Sequence, residues 1–446
     1  MFHILPFVAR LPQALGNTIS ARQGSSNTAT VDLSVQRGSP QHLASGFIYG
    51  IPDDGFDESA TQIPSHFYSD IGFNYARAGG AQMSAGGWID GTTAYAARFQ
   101  LLPHDLWGTD HANSSTVWPG DDDDWTDYDN FLDRVLSDLS SNNMLDGLDF
   151  DIWNEPDGGF FWKRSLSQYY QLYVRTHQRI RSDAAFNDVL LVGPSSASQP
   201  NGGNTFWQDW LQTVVSNNVI PDQYTWHDEP GDVANDIANL QPLLVKYGAP
   251  NRTININEYA VESQQVSTGA AWWIARLERY DAHGLRGNWL GGCQLHDFMA
   301  SLLGKSNTSS CTSATGYYGN GEFQVYKYYN QNMTGSRVQT TGSGDGVLDV
   351  YTTVDSDKVR TLTGVNLKTG TWYITIKGLT AVGLPASGTL DIQTWGFEDK
   401  GHYGEVTGPS DRGVVAHQYS GGSITFPIFQ TTQDRYTAWA FEFGVA

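Results

Sequence analysis

Apolar and polar positions along this chain follow two rhythms, and the change between them divides it. From residue 46 onward, short apolar runs end in polar or glycine-rich corners, and most are followed by a stretch with apolar residues at helical spacing. The runs are GFIYGI (46–51), NYARAGG (74–80), FQLLPHDLWG (99–108) and LDFDIWNEP (148–156), then VLLVGPSSA (189–197), DQYTWHDEP (222–230), TININEYA (253–260) and RGNWLGG (286–292). Between them, DWTDYDNFLDRVLSDL sets Tyr128, Phe131, Leu132, Val135, Leu136 and Leu139 on one helical face. SLSQYYQLYVRTHQRI, TFWQDWLQTVV, DVANDIANLQPLLVKYG and AAWWIARLERYDAHG repeat that pattern. Eight strand candidates alternating with helices over roughly 247 residues predict an α/β fold, the (β/α)8 TIM barrel of typically about 250 residues. Active sites of that barrel sit at the C-terminal strand ends, so polar residues there become the candidates.

After the helical EFQVYKYYNQNM the rhythm shortens. VLDVYTTV, KVRTLTGVNL, TWYITIKGL, TLDIQTWGF, SITFPIF and YTAWAFEFGV read as strands separated by Gly, Ser and Asp turns, the texture of an all-β sandwich. The expected division is a lead-in over 1–45, whose strand TVDLSV (30–35) can join the sandwich, a catalytic barrel over 46–335, and a C-terminal β-sandwich over 336–446.

Composition narrows the partners. The 446 residues carry 47 Asp and Glu against 26 Lys and Arg, a formal charge of −21, and such a surface repels phosphate backbones, which argues against nucleic acid. No apolar run reaches the ~18 residues of a membrane-spanning helix. Aromatic residues make up 13% of the chain, and their flat faces suit sugar rings, which points to an oligo- or polysaccharide partner. Two cysteines, Cys293 and Cys311, and four Asn-x-Ser/Thr sequons at Asn113, Asn251, Asn307 and Asn332 together suggest a secreted, glycosylated protein with one disulfide. That bond would stabilise by about 3 kcal/mol. The N-terminal MFHILPFVARLPQALG lacks a basic start and is interrupted by Pro6 and Arg10, so it makes a poor signal peptide. The number of copies in the assembled protein is not legible.

Glu155 ends the fourth strand candidate and Glu258 the seventh, and barrel closure brings both ends to one mouth. Two carboxylates across a cleft are the minimal machinery for cleaving a glycosidic bond: one donates a proton, the other attacks or activates water. Asn154 and Asn257 precede them. Arg77, His104, Trp226, His227 and Trp289 also fall at predicted strand ends, and each can line the sugar pocket or serve the core. Gly158-Gly159-Phe160-Phe161 is expected to form a mobile aromatic wall beside the cleft.

The pairing of WNEP on strand four with NEY on strand seven resembles the retaining glycoside hydrolases of clan A. Within that clan the chain is most similar to glycoside hydrolase family 39, the β-xylosidases and related exo-enzymes. The supporting features are TWHDEP at strand six, GEFQVYKYYNQNMTG after the barrel and a sandwich behind it. The resemblance implies Glu155 as general acid/base, Glu258 as nucleophile and Asn154 as the partner of the sugar 2-hydroxyl. The sequence departs from the family at Asp228-Glu229-Pro230, where a Tyr is usual, and at LLPHDLWG on strand three. Both departures touch the sugar pocket.

Trp153 and the Phe160-Phe161-Trp162 cluster should desolvate Glu155 and raise its pKa, while Arg77 and His227 keep Glu258 ionised. The acidic run GDDDDWTDYD lacks calcium-loop spacing and reads as a helix start. No metal or cofactor motif is present: there is no His-Glu-x-x-His, phosphate loop or Gly-x-Ser-x-Gly elbow. The expected function is therefore a secreted, retaining, exo-acting glycosidase of polysaccharide side chains. A catalytically silent glycan-binding wall protein and a transglycosidase use the same cleft.

Overall fold

The computed structural model describes residues 26–52, 62–79, 97–108, 112, 115–307 and 316–445. Strand β1 is Thr28–Gln36. Eight strands then close into a parallel barrel: β2 Gly46–Ile48, β3 Tyr75–Ala78, β4 Arg98–Leu101, β5 Leu148–Asp151, β6 Leu190–Ser196, β7 Gln223–Asp228, β8 Thr253–Tyr259 and β9 Ala282–Arg286. Closure comes from β2 pairing with β9, Gly46 opposite Leu285.

The helices are α1 His66–Asp70, α2 Pro103–Trp107, α3 Thr126–Ser141, α4 Leu166–Arg181, α5 Thr205–Ser216, α6 Val233–Tyr247, α7 Ser267–Tyr280 and α8 Gly321–Gln331. Side chains cap four of them: Ser165 accepts from Gln168 N at α4, Asn204 from Trp207 N at α5, Asp232 from Ala234 N and Asn235 N at α6, and Asn320 from Phe323 N at α8. In α3 the face predicted from spacing is the buried one, with Tyr128, Leu132, Leu136 and Leu139 inside and Phe131 and Val135 at its edge. The acidic run precedes it: Asp121–Asp123 form a 3-10 turn, and Asp127 and Asp129 fall in the first helical turn, where the helix dipole favours negative charge.

The eighth strand differs from its sequence expectation. Helix α7 stops at Tyr280, Asp281 takes a left-handed conformation (φ 51°, ψ 40°), and β9 begins at once. RGNWLGG is mostly the loop after that strand. The helical rhythm of AAWWIARLERY masks the switch, and Gly284 allows it: a Cβ there would meet Leu277 Cδ1 at 2.4 Å and the Tyr259 ring at 2.9 Å.

After a two-stranded ribbon, β10 Leu303–Gly304 with β11 Tyr318–Gly319, the remaining strands form the second layer system. They are β12 Ser336–Thr341, β13 Leu348–Val354, β14 Lys358–Val365, β15 Gly370–Lys377, β16 Gly388–Phe397, β17 Ser410–Tyr419, β18 Ser423–Gln430 and β19 Ala438–Gly444. With β1 they make one nine-stranded sheet in the order β17-β16-β19-β14-β13-β12-β1-β15-β18. The sheet folds over on itself as a sandwich, so that Phe426 of β18 meets Phe441 of β19 at 5.1 Å and Val31, Val350, Ile374 and Leu390 share one core. β1 runs parallel to β15 and antiparallel to β12, which places the N-terminal strand inside the sheet.

Helix α7 joins the two halves. It is buried almost all round, as its Ala-Ala-Trp-Trp-Ile-Ala run requires. Thr268 Oγ1 bonds both the carbonyl and the amide of Val365, Arg279 pairs with Asp349, and the Arg276 guanidinium lies 3.9 Å over Trp272.

Candidate active site

The mouth of the barrel is built on a polar floor. Arg77 (β3), Gln100 (β4), Asp151 (β5), Ser195 (β6) and Asn257 (β8) all point inward and are fully buried. Buried charges persist only when paired and hydrogen-bonded, and here they are. Asp151 accepts from Arg77 Nε at 2.9 Å, Gln100 Nε2 at 2.8 Å, Ser195 Oγ at 2.7 Å and Asn257 Nδ2 at 3.1 Å. Arg77 spends its remaining arms upward: Nη1 donates to Glu258 Oε1 at 2.6 Å and Nη2 to Asn154 Oδ1 at 2.7 Å. Desolvation opposes its charge, but Asp151 and Glu258 win, and its pKa is raised. Arg77 therefore braces the floor beneath the pocket, a correction to its expected place among the groups touching sugar.

Glu155 stands where β5 runs out. It adopts φ +40°, a conformation that costs a non-glycine residue about 1–3 kcal/mol. Its amide donates to Ser195 O at 2.8 Å, and Gly158 N donates back to its carbonyl at 3.1 Å. This tight turn aims the carboxyl into the cleft, where its side chain is 23% exposed; that of Glu258 is 16% exposed. His227, at the end of β7, stands between the two. Its Nδ1 is 2.9 Å from Glu155 Oε1 and 3.7 Å from Glu258 Oε2.

Those two legs hold Glu155 Oε1 and Glu258 Oε2 within about 6.6 Å of each other, a reach that admits the ~5–5.5 Å carboxyl separation of retaining enzymes. The expected rise in the Glu155 pKa is not found. Burial does push it up, but the hydrogen bond and charge of His227, then Arg77 and His104, outweigh burial and lower it. His227 moves the other way: burial lowers its pKa, while Glu258 and Glu155 raise it more. The pair thus favours His227 protonated against Glu155 ionised. Aromatic neighbours alone were a poor guide because the facing histidine comes from another strand.

The cleft has a volume of about 420 Å³. Around it stand Glu155, Glu258, Asn154, His104, His227, Phe161 and Trp289, together with Tyr49, Asp105, Glu229 and Asn288. His104 is buried, with Nε2 2.9 Å from Asp105 Oδ1, and Tyr49 OH donates to the same carboxylate. Phe161 packs edge-on against His104 at 5.4 Å, while Phe160 points outward, 67% exposed, and Trp153 and Trp162 lie beneath in the core. Trp289 remains 46% exposed and ties its Nε1 to Ala260 O at 3.2 Å. Trp226 does not reach the cleft. Strand alternation turns it outward onto Trp207 of α5, and its Nε1 donates to Asp228.

Asp105, Tyr49, Asp151 and Glu229 are cleft or floor residues that sequence reasoning missed. Asp151 had a signal, a second acidic residue two positions after Asp149 in an otherwise apolar strand. Glu229 had one too, as the departure from the family pattern. His227, Glu229 and Glu258 present ligand atoms all within 4.8 Å of one another, a spacing that could hold a divalent cation. Arg77 on Glu258 already balances much of the charge such an ion would neutralise.

Asn251 and Asn332 are exposed, as is Asn307, whereas Asn113 and Cys311 lie outside the described residues. No free cysteine occurs among the described residues, and none of their helices is long and apolar enough to cross a membrane.

No protein-family model and no curated protein matches the sequence. Solved structures do match. N2152 from Neocallimastix frontalis superposes with a TM-score of 0.72 at 22% identity, over 94% of this chain and 100% of that one. A family 39 β-xylosidase from Caulobacter crescentus gives a TM-score of 0.59 at 13% identity, over 93% and 99%. A family 30 endoxylanase from Clostridium papyrosolvens gives 0.54 at 14%, over 94% and 100%. The barrel with its appended β domain is thus a fold this chain shares with the β-xylosidase and endoxylanase structures.

Proposed function

We propose that the protein is a retaining glycoside hydrolase in which Glu258 attacks the anomeric carbon and Glu155 serves as acid and then base. The observation that carries this is the meeting of both carboxylates in one cleft, bridged by a single histidine nitrogen at 2.9 and 3.7 Å. In the first step the leaving oxygen takes a proton from Glu155 while Glu258 forms the glycosyl ester. In the second, Glu155 takes a proton from water, which releases the sugar.

The lowered pKa of Glu155 is reconciled with this role by His227. The two groups share one proton, and it stays available until the pH rises through the raised pKa of the histidine. As the leaving oxygen approaches, the proton passes from Nδ1 to Oε1 and onward. Arg77 holds Glu258 in place through its 2.6 Å ion pair, and Asn154, fixed by the same guanidinium, faces the sugar 2-hydroxyl.

The compact cleft favours action on chain ends, and the likeness to a β-xylosidase and an endoxylanase makes polysaccharide side chains the substrate class to test. Export and glycosylation belong to the same reading, supported by exposed sequons at Asn251 and Asn332 and by the absence of free thiols among the described residues, with Cys293–Cys311 as the disulfide.

The test is turnover of aryl xylosides, arabinofuranosides, galactosides, glucosides and glucuronides. Glu258→Gln is expected to abolish it, and azide is expected not to restore it. Glu155→Ala is expected to keep activity only on glycosides whose leaving group needs no proton. Normal turnover of natural substrate by both variants would overturn the assignment.

A further inference from the structure

Glu229 follows β7 directly and has no task in the mechanism above. It borders the cleft beside Glu155 and Glu258, and its Oε1 is buried without a hydrogen-bond partner. The cation nearest in the floor, Arg77, is committed to Asp151, Glu258 and Asn154, so Glu229 is not half of an ion pair. Its place is reserved by a missing side chain: a Cβ at Gly287 would come within 2.4 Å of Glu229 Oε1. Its carboxyl lies within 4.8 Å of the ligand atoms of both His227 and Glu258, yet its buried oxygen bonds to neither. Carboxyl oxygens no more than 4.8 Å apart can share one bridging oxygen seated in the cleft, with hydrogen bonds of about 2.7 Å to either side.

We infer that Glu229 is a third working carboxyl of the cleft, donating a hydrogen bond to a sugar hydroxyl lodged between it and Glu258. The hydroxyl accepts from Glu229 and donates to the nucleophile, which fixes the ring over the attacking oxygen. The charges around it agree. Burial, then Glu258 and Glu155, push its pKa up to about 10, with Asp228 adding to the rise and Arg77 opposing it. Glu229 therefore keeps its proton through neutral pH, and a carboxylic acid kept neutral in such a setting is a donor. The substrate class follows: the group seated there is an uncharged hydroxyl, because a uronate carboxylate would crowd against the carboxyl groups of Glu155 and Glu258. The inference rests on the glycosidase reading.

It is tested with the 4-nitrophenyl glycoside that the wild type cleaves best, and with its monodeoxy analogues. Glu229→Ala is expected to lower kcat/KM by about 10–100-fold, and Glu229→Gln, which restores a neutral donor, to recover at least about tenfold of that loss. One monodeoxy analogue is expected to lose about 10–100-fold on the wild type and no further on Glu229→Ala, because the bond it lacks is already gone. Equal impairment of the Ala and Gln variants, or losses that multiply for every analogue, would overturn the inference while leaving the glycosidase reading intact. If the wild type cleaves none of the glycosides and a 2-fluoro glycoside does not label Glu258, the reading itself fails and this inference with it.

Discussion

The proton on Glu229 has a thermodynamic signature that no assay of activity is needed to see. A glutamate titrates near 4.5 when unfolded and near 10 in this cleft, so between those values the native chain holds a proton that the unfolded chain has released. Stability therefore falls as pH rises, by about 1.36 kcal/mol for each pH unit. From pH 5.5 to 8.5 the loss amounts to about 4 kcal/mol, a large share of the ~5–15 kcal/mol that holds a domain together.

In Glu229→Gln the group no longer titrates, so the variant is expected to gain on the wild type steadily across that range. His227, whose raised pKa makes its own contribution fade as pH rises, and Glu155, whose lowered pKa makes its contribution fade only in acid, are present in both proteins and cancel in the difference. Urea unfolding of both proteins at pH 5.5, 7.0 and 8.5 measures it. A stability difference that stays constant over the range would mean that Glu229 ionises normally, and the account of the third carboxyl would be wrong.

Three further outcomes are expected. Arg77→Met leaves Asp151 charged and unpaired in the floor, at a cost of about 3–5 kcal/mol read by calorimetry, and turnover is lost with it. His227→Gln removes the group that carries the shared proton, so the alkaline limb of kcat/KM against pH moves to lower pH; a limb that stays in place would separate His227 from the acid. Trp289→Ala leaves the melting temperature unchanged, because the ring is half exposed, but raises KM about tenfold if the ring covers a sugar face.

Much of this protein was legible before any coordinates. Period-two and period-3.6 rhythms separate strand from helix wherever one face of an element is buried, and seven of the eight barrel strands and the helices α3–α8 announce themselves that way. The one displaced strand, Ala282–Arg286, lies where a helix buried all round runs into a strand with only Asp281 between them, so periodicity had no polar face to mark the join. Glu155 and Glu258 were legible because a barrel sends the ends of all its strands to one rim.

What the chain could not disclose is everything that depends on which residues face each other across that rim. Trp226 and His227 are neighbours in sequence, and strand alternation turns one to the helices and the other to the cleft, but which goes where is fixed only by closure of the barrel. The direction of the Glu155 pKa belongs to His227 and Arg77, the task of Arg77 belongs to Asp151, and the raised pKa of Glu229 belongs to its burial and then to Glu258 and Glu155. Charge interactions act over a few ångströms of space and are indifferent to sequence separation. The order and kind of the elements follow from local pattern, while the electrostatics of the site exist only once the ring of strands has closed.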